Sequence, residues 1–504
     1  MIPGLATWRD RPVAATFLAS LLLSALAVGT GNLNRDGMLY TEAARAFLEG
    51  GLPAAKAVFT WPFLPVLMAS LSALTGLSPD TCGHLLNALF LATACALMVD
   101  LIRRSDPDLA WLAAFVVLAL PGLNEYRNEL IREYGAWCFT MIALRLAVEW
   151  PNRPGWRPSL AIQGSLGVAM LFRPEAAVFF VCILLWQHGQ TSSMSRTLRA
   201  VLLGGLPALL LLGILGAHVA GLIPDSSRIA GEISRFNFSS FDEKALEMGK
   251  AFNDYAREEA QTAHAILFFG SLALIPWKLL GKFGIFLLPL AAFAFVPLKN
   301  SILGRYSLLA WVFGGHMLVL AVFVLQQQFA SGRYLGPLLL FSTPFIAFGL
   351  QRLIGQWPHW RLPILVLAGV IALANVTSLK PPKTHFPAAG AWLAAHHERE
   401  SPRIFLESAR TAHYAGWRYS TRAVPPNRPQ LATDVAAGTY DMVVLEVSRK
   451  DKDFADWLMQ SGLREIRRFS DANGDAIVVA EVIAAQRQVS SSAASKSVDT
   501  RASE

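Results

Sequence analysis

Long apolar runs separated by short polar loops dominate the chain up to about residue 380. Runs of spanning or near-spanning length lie at about 12–30, 84–102, 108–122, 134–150, 158–172, 174–188, 200–222, 283–298, 305–325, 334–352 and 361–378. Because a helix needs about 20 apolar residues to cross a bilayer, this pattern predicts about eleven transmembrane helices. Basic pairs such as Arg103/Arg104 and Arg196/Arg199 recur in alternate short loops, which indicates that those loops are cytoplasmic. With a cytoplasmic N-terminus, an odd number of crossings puts the C-terminus on the outer face.

Two further apolar segments, 60–77 and 264–281, are predicted to lie along the outer interface of the membrane. A crossing by either segment would reverse the side of every basic loop that follows it. Lys278 and Lys282 interrupt the second apolar stretch, and we expect these lysines to snorkel to the interface. Residues 283–298 then form the single crossing in this part of the chain.

The composition changes from about residue 380, where Lys380-Pro381-Pro382-Lys383 marks a linker. The pattern beyond it predicts helices at Ala388–Glu398 and Phe454–Ser461 and strands at Arg403–Glu407, Tyr440–Val447 and Ala476–Val482. We therefore expect three parts: a transmembrane catalytic domain over 1–379, a small α/β domain over 380–485 and a disordered Ser/Ala-rich tail over 486–504. The fold class is a mainly α polytopic membrane protein with outer interfacial helices and this small α/β domain.

The composition excludes a purely soluble protein. Of the 504 residues, 54% are hydrophobic and only 16% are charged, and the mean hydropathy is +0.41. Soluble domains are about 45–50% apolar and about 25% charged. The net charge of +8 would favour nucleic-acid binding in a soluble protein, but here it reflects the basic cytoplasmic loops, so no nucleic-acid partner is expected.

The cysteines and histidines show no metal-binding spacing. Cys82, Cys95, Cys138 and Cys182 lie in or beside apolar segments and form no C-x-x-C pair, which is typical of small core residues. No H-E-x-x-H pattern and no Gly-rich phosphate loop occurs. We expect no cofactor and predict no metal site, and the sequence leaves a requirement for a divalent metal open.

Charged residues at a membrane edge are costly, so those on the predicted outer face are functional candidates. The segment Asn34–Glu42 follows the first apolar run, with Asp36 starting an amphipathic helix and Tyr40 on the same face. Its structural alternative is that Asp36 only caps the helix. The segment Glu125–Tyr134 crowds three acids and two arginines into one loop, including Arg132 and Glu133. Its structural alternative is a solvated loop whose charges pair with each other.

Two arginines stand in apolar surroundings. Arg173, in Phe172-Arg173-Pro174-Glu175, breaks two apolar stretches, and it either snorkels or binds a phosphate at the interface. Arg333, followed by Tyr334, opens the tenth run on the predicted outer face, against the positive-inside trend. Both arginines are therefore candidates for contact with an anionic substrate.

These features together resemble the GT-C superfamily of glycosyltransferases. The D-x-x-x-Y-x-E pattern at Asp36 looks like the first outer loop of the protein O-mannosyltransferases and the lipid A aminoarabinose transferases. Trp61-Pro62-Phe63 through Gly76 is similar to their interfacial helix, and Ile131-Arg132-Glu133-Tyr134 to the acid that opens their fourth span. The Arg173 break, the span that opens at Arg333-Tyr334 and the outer C-terminal domain are also similar. The motifs are short, and their order over residues 10–380 carries the resemblance.

The resemblance implies a function and a set of roles. A sugar would move from a polyprenyl-phosphate donor to a hydroxyl or phosphate acceptor of the cell envelope, with inversion, on the periplasmic face of the bacterial inner membrane. The acceptor would be a glycolipid, a polysaccharide or a protein. Asp36 would act as general base, because an attacking hydroxyl must lose a proton. Arg132, Arg173 and Arg333 would stabilise the departing phosphate, Glu133 would orient the acceptor or an arginine, and Tyr40 and Tyr334 would contact substrates.

The sequence also departs from this family. The aminoarabinose branch has Lys-Pro at the start of the interfacial helix, where this chain has Thr60-Trp61-Pro62. That difference puts the donor-phosphate contact and aminoarabinose specificity in doubt. A transporter or flippase for a lipid-linked or small polar substrate is the alternative function. Transporters usually show internal repeats and charges at the midplane, whereas here no convincing repeat occurs and the candidate charges gather on one face.

Overall fold

The computed structural model describes residues 11–28, 32–190, 194–222, 239–252, 258–297, 299–377, 383–397, 403–419 and 426–483. The predicted tail over 486–504 lies outside these residues. The chain forms two compact units, which we treat separately. The membrane unit comprises Met1–Gly29 and Thr60–Thr377, and the C-terminal unit comprises Thr30–Phe59 and Ser378–Glu504. The segment that carries Asp36 thus packs with the C-terminal residues and not with its neighbours in sequence.

The protein is mainly helical. In chain order the helices are α1 (Pro12–Val28), α2 (Arg35–Val58), α3 (Phe63–Thr75), α4 (Pro79–Ser105), α5 (Ala110–Ala119), α6 (Pro121–Asn124), α7 (Glu133–Glu149), α8 (Trp156–Phe172), α9 (Val178–Gly189), α10 (Arg196–Val219), α11 (Ser239–Phe252), α12 (Glu258–Phe283), α13 (Leu287–Phe293), α14 (Lys299–Arg305), α15 (Ser307–Gln327), α16 (Gly336–Phe341), α17 (Thr343–Gln356), α18 (Arg361–Val376), α19 (His385–His396), α20 (Ala409–Ala415), α21 (Arg428–Ala436) and α22 (Phe454–Gln460). The strands are β1 (Ile404–Leu406), β2 (Met442–Val447), β3 (Leu463–Ser470) and β4 (Ala476–Val482). Helix α2 and α19–α22 belong with the strands to the C-terminal unit, and the other helices belong to the membrane unit.

Several helices are long and apolar enough to cross a membrane. Among the described residues there are five: Pro79–Ser105, Arg196–His218, Thr262–Phe293, Ser307–Gln327 and Pro358–Val376. A sixth arises if Gly332–Phe341 and Thr343–Gln356, bent by 62° at Ser342, count as one broken span. The chain is therefore a multi-pass membrane protein. Further apolar helices such as Pro12–Val28 are shorter than the usual span of about 20 residues, so the total of about eleven crossings stays a prediction.

The structure divides residues 258–297 differently from the sequence prediction. Helix α12 continues through a 3₁₀ turn at Gly284–Phe286 into α13, and Thr262–Phe293 together form one candidate span. A separate crossing over 283–298 was wrong, because α13 has only 7 residues and cannot span a bilayer alone. The predicted helix ending at Gly76 is confirmed as α3, and Gly76 closes it in the left-handed conformation, with φ 74°.

Charged side chains gather at the two ends of helix α7. One network joins the C-terminal ends of α4 and α7: Asp100, Arg103, Arg104, Arg145 and Glu149. Asp100 accepts hydrogen bonds from Arg103 at 2.8 Å and from Arg145 at 2.7 Å. At its other end α7 begins with Glu133. A 17-residue helix is about 25 Å long, so the helix holds two charged groups apart by most of a bilayer's apolar thickness.

The C-terminal unit contains a four-stranded mixed sheet in the order β1-β2-β4-β3. Strands β1 and β2 are parallel, while β4 is antiparallel to both β2 and β3. Alternate residues of β2 and β4 enter two different cores. Val443 and Val478 join a core with α21 and α22, while Val444 and Val479 join a core with α19 and α20. Both faces of the sheet are covered, so this unit is a three-layer α/β domain.

Strand β3 was missed by the sequence prediction because its exposed face is charged. Its eight residues include Arg464, Arg467 and Arg468, and the strand lies at the edge of the sheet, where charged side chains discourage pairing with other chains. The turn into β4 is closed by Asp471, whose carboxylate accepts hydrogen bonds from the backbone N–H groups of Asn473 at 2.8 Å and Asp475 at 3.1 Å. Burial alone would raise the pKa of Asp471, but these bonds hold the pKa below its usual value.

Gly349 marks the closest packing of α13 against α17, and it supplies a test of the fold. A Cβ atom at this position would lie 1.7 Å from the carbonyl oxygen of Pro289, so the two backbones would have to separate. We expect Gly349→Ala to destabilise the detergent-solubilised protein by about 2 kcal/mol, although alanine favours helix over glycine by about 1 kcal/mol. Thermal unfolding measures the effect. Gly355→Ala in the same helix meets no atom within 4 Å and should not lower the melting temperature; equal losses in both variants would contradict this packing.

Candidate active site

Glu133 is a buried acid at the start of helix α7. It lies in the first turn, where the helix N-terminus favours negative charge, and only 4% of the residue is exposed. A buried carboxylate is costly unless cationic groups pair with it. The predicted site residues Arg173 and Arg333 provide those groups.

Arg173 reaches Glu133 because the chain breaks between α8 and α9. Arg173 is extended, at φ −143° and ψ 109°, and the following Pro174 disfavours a helical conformation at this position. Its Nη1 donates a hydrogen bond to Glu133 Oε1 at 3.0 Å, and its Nε donates to Glu175 Oε1 at 2.5 Å. The guanidinium group therefore bridges two acids, and the alternative that Arg173 merely snorkels does not account for this geometry.

Arg333 approaches the same carboxylate from the other side. It lies in the 3₁₀ turn Gly332–Leu335, and its Nε is 3.4 Å from Glu133 Oε1, within ion-pair distance. The Tyr334 ring supports both arginines: the Cζ atom of Arg173 is 4.6 Å from the ring centroid and that of Arg333 is 5.6 Å. Tyr334 in turn is fixed through its backbone carbonyl, which lies 2.8 Å from His316 Nε2.

The side chains of the acid and of the two arginines differ in their exposure to solvent. The Glu133 side chain is 5% exposed, whereas those of Arg173 and Arg333 are 14% and 20% exposed. The acid is thus buried more deeply than the two cations that pair with it. Glu133 Oε2 is buried and has no hydrogen-bond partner in the part of the chain that the structure describes. This arrangement is suited to hold an anion at the arginines and to accept one further hydrogen bond at Glu133.

Arg132 precedes Glu133 as the N-cap residue of α7 and is half-buried. Arg132 is adjacent to Glu133 in sequence, and its positive charge interacts electrostatically with Glu175. The predicted residues Arg132, Glu133, Arg173, Arg333 and Tyr334 thus come together in the membrane unit, and Glu175 joins them. The sequence did contain a signal for Glu175, since it follows the Arg173-Pro174 break directly.

A cavity of about 640 Å³ adjoins the cluster and is lined by Tyr126, Trp277, Lys278, Leu280, Gly281, Lys282 and Gly332. Lys278 donates to the carbonyl oxygen of Ala330, and Lys282 pairs with Glu125; that both lysines snorkel to the interface stays a prediction. A Cβ atom at Gly332 would lie 2.3 Å from the Tyr126 hydroxyl and 2.5 Å from Lys282 Cε, so any other residue there would displace the ends of these two side chains. The i, i+4 lysine spacing within an apolar run was the available sequence signal.

Asp36 and Tyr40 lie in the C-terminal unit. Asp36 is in the first turn of α2 and is half-buried, while the N-cap position is taken by Asn34, so Asp36 is not the cap. Tyr40 is 4% exposed, and its ring packs on Phe59 with centroids 5.4 Å apart. Their roles as base and substrate contact stay predictions. Within the described residues no group of three or more His, Cys, Asp or Glu side chains is arranged to hold a metal ion.

Comparison with known proteins gives structural matches only. No sequence-family model matches the chain, and no curated protein matches it. The crystal structure of ArnT from Cupriavidus metallidurans bound to undecaprenyl phosphate is 13% identical, covers 94% of this chain and 98% of that chain, and gives a TM-score of 0.51. The apo state of ArnT is 14% identical over 94% and 98%, with a TM-score of 0.44. Arabinofuranosyltransferase AftD from Mycobacteria is 14% identical over 94% of this chain and 42% of that chain, with a TM-score of 0.48.

At this identity the first match shows the fold and nothing further. It extends over nearly the whole of both chains. The chain has the fold of the GT-C glycosyltransferase ArnT, which confirms the resemblance that the sequence predicted.

Proposed function

We propose that the protein is an inverting membrane glycosyltransferase that moves a sugar from a polyprenyl-phosphate donor to an acceptor hydroxyl or phosphate. The observation that carries this proposal is the cluster of Arg173 and Arg333 above the buried Glu133, which can bind a phosphate group. The fold shared with ArnT, whose structure was solved with undecaprenyl phosphate bound, supports the same class of donor. The acceptor class includes envelope glycans, lipids and proteins.

The chemistry requires stabilisation of a departing phosphate. The bond between the anomeric carbon and the phosphate oxygen breaks, the phosphate leaves with the bonding electrons, and the acceptor oxygen forms the new bond on the opposite face of the sugar. Two arginines, aligned before the reaction, stabilise the negative charge as it develops. Glu133 holds both guanidinium groups through Oε1, and its buried Oε2 can accept a hydrogen bond from a sugar or acceptor hydroxyl.

The acceptor must also lose its proton, and Asp36 is the proposed general base. This assignment rests on the resemblance in sequence and on the position of Asp36 as an acid in the first helical turn that does not serve as the cap. Glu133 is less suited to the role, because Oε1 of its carboxylate is already within ion-pair distance of both Arg173 and Arg333.

An apolar groove between α9 and α15 provides a place for the polyprenyl chain. It has a volume of about 480 Å³ and is lined by Val178, Val181, Cys182, Leu185, Ser307, Ala310, Trp311, Gly314, Gly315 and Leu318. Phe179 of α9 stacks on His316 of α15, the residue that contacts the Tyr334 carbonyl. We therefore propose that the groove leads from the arginine cluster into the membrane and accepts the isoprenoid tail.

The proposed membrane layout keeps the features that the sequence predicted. About eleven helices cross the bacterial inner membrane, the N-terminus is cytoplasmic, and the cluster and the C-terminal domain are on the periplasmic side. The charged networks at opposite ends of α7 support a layout in which the two ends of this helix face opposite sides of the membrane. The position of the candidate charges at helix ends favours an enzyme over a flippase, whose substrate-binding charges are usually at the membrane midplane.

Asp36→Asn tests the base. We expect it to reduce the turnover number by at least about 100-fold, because general-base catalysis contributes about 10²–10⁴ and the amide cannot take up the proton. The assay measures release of undecaprenyl phosphate from a panel of undecaprenyl-phosphate-linked pentoses and hexoses, supplied with envelope extract as acceptor. Glu133→Gln is the matched acid-to-amide control, and it should mainly raise the donor KM. Near-normal turnover in Asp36→Asn would remove Asp36 as the base.

Arg333→Ala tests the phosphate site. Loss of one charge-assisted hydrogen bond costs about 1.5–3 kcal/mol, so the KM for the donor should rise about 10- to 100-fold. Arg333→Lys should recover only part of the loss, because an ammonium group cannot form the planar two-pronged contact. Arg103→Ala removes an arginine from the network at the other end of α7 and should leave donor KM unchanged. An unchanged KM in Arg333→Ala would count against the phosphate role.

Gly314→Leu tests the groove. Gly314 lines the groove and a Cβ there meets no atom within 4 Å, so the side chain of a leucine begins in open space. We expect the KM for an undecaprenyl donor to rise about tenfold, while that for a donor with two isoprene units changes little, since the buried chain supplies about 0.8 kcal/mol per CH₂ group. Gly164→Leu on α8, which is equally open, is the control. Equal effects on long and short donors would refute the groove assignment.

A further inference from the structure

The C-terminal unit contains a set of hydrogen bonds that fix the segment leading into helix α2. The Asn32 side-chain amide donates to the carbonyl oxygen of Lys383 at 2.8 Å. The Tyr414 hydroxyl donates to Asn32 Oδ1 at 3.2 Å and accepts from the backbone N–H of Leu33 at 3.4 Å. Residues from the two ends of the chain thus bond directly, within one compact unit.

A second tyrosine binds the helix itself. The Tyr419 hydroxyl donates to the carbonyl oxygen of Met38 at 2.8 Å. His413 Nδ1 lies 3.1 Å from the same hydroxyl. Because a tyrosine hydroxyl has only one proton and gives it to Met38, His413 must donate from Nδ1, which fixes its tautomer. His413 is 7% exposed, so this chain of bonds from His413 through Tyr419 to Met38 begins at a buried side chain.

Tyr414 and Tyr419 lie in a segment that is packed into the core of the domain. Ala412, Ala415 and Trp417 flank them in sequence and are buried in the core formed with Val444 and Val479 of the sheet. The hydroxyl groups are therefore held in place by the packed domain, and their positions do not depend on the segment they bind. This is the requirement for one element to orient another.

The exposed contacts in this region matter less. Arg418 pairs with Glu49 of α2 at 3.2 Å, but the two side chains are 71% and 65% exposed. Surface pairs of this kind contribute about 0–1 kcal/mol, whereas leaving a part-buried donor or acceptor without its partner costs more. The tyrosine contacts therefore contribute more than this surface pair to holding the start of α2.

We propose that Tyr419 is a positioning residue, and that the C-terminal domain orients the Asp36 carboxylate by binding the first turns of α2 through Tyr419 and Tyr414. Met38 follows Asp36 by two positions in the same helix, so a shift of the Met38 carbonyl moves the carboxylate with it. A displacement of about 1 Å can reduce catalysis by about 100-fold. This inference rests on the proposed function in which Asp36 is the base.

Tyr419→Phe in the full-length protein tests the proposal. It removes the hydroxyl and keeps the ring, and we expect the turnover number to fall about tenfold while the donor KM stays within about twofold. Amide hydrogen exchange over residues 32–45 should become at least about tenfold faster, with exchange in β2 and β4 unchanged. Tyr440→Phe is the control, because Tyr440 packs on Phe405 in the opposite core of the same domain.

A double-mutant cycle separates positioning from a general structural role. Asp36→Glu retains a carboxylate but displaces it by one methylene, so adding Tyr419→Phe should cost less than about twofold further. An additive tenfold loss in that background, or exchange that accelerates across the whole domain, would show that Tyr419 acts on overall stability and would overturn the proposal. Unchanged turnover and exchange in Tyr419→Phe alone would overturn it as well.

The measurements distinguish failure of the positioning role from failure of the proposed function. If Asp36→Asn kept its turnover, Asp36 would not be the base, whatever Tyr419→Phe did to hydrogen exchange. If Asp36→Asn abolished turnover and Tyr419→Phe changed neither turnover nor exchange, the base would stand and only the positioning role would fall. The activity and exchange measurements therefore test the two ideas separately.

Discussion

The buried Glu133 carboxylate is the interaction on which the membrane unit's candidate site depends. An acid that is 4% exposed among apolar helices requires cationic partners, and Arg173 and Arg333 reach it from two different chain breaks. Removing one partner of such a group typically costs about 3–5 kcal/mol, because the remaining charge is left buried. The acid thus fixes the position of both arginines, and the Tyr334 ring supports them from one side.

The breaks in the helices explain how this cluster can exist in a membrane protein. Backbone groups inside a bilayer must be hydrogen-bonded, so charged side chains are most easily placed where helices begin and end. Glu133 begins α7, Arg173 separates α8 from the 3₁₀ turn before α9, and Arg333 lies in the turn that opens the bent pair α16 and α17. The network around Asp100 uses the opposite end of α7 in the same way.

The C-terminal unit shows that sequence order and domain membership differ. Residues 32–59 directly follow the first apolar run, yet they belong to the same compact unit as the described residues between 383 and 483. The hydrogen bonds of Tyr414 to the Asn32 side chain and of Tyr419 to the Met38 carbonyl contribute to this grouping, since they join residues about 380 positions apart. The segment with Asp36 thus groups with the later part of the chain, and the division into domains at residue 379 stays a prediction.

Much of the fold was readable from the sequence. Hydropathy is a local property, and a helix satisfies its own backbone, so apolar runs such as the one giving Ser307–Gln327 were predicted closely. Three strands of the sheet were predicted, while β3 was missed because its outward face is rich in arginine; the Asn473-Gly474 pair after it is a hairpin signal. The division of 258–297 differs from the prediction, because helix α12 runs on past Lys278 and Lys282, which bond to Ala330 and Glu125.

The sequence by itself determined which residues were candidates: a few charged side chains, Glu133, Arg173 and Arg333 among them, in surroundings where charge is costly. Only the tertiary structure decided that Arg173 and Arg333 both approach the Glu133 carboxylate, although Glu133 and Arg173 are 40 positions apart. It also decided that Tyr419 binds the helix that carries Asp36. The physical reason is that the apolar residues on either side of a charged residue in the sequence already indicate that its burial is costly. The identity of its partner depends on which helix ends meet, and this depends on packing between elements that the sequence separates.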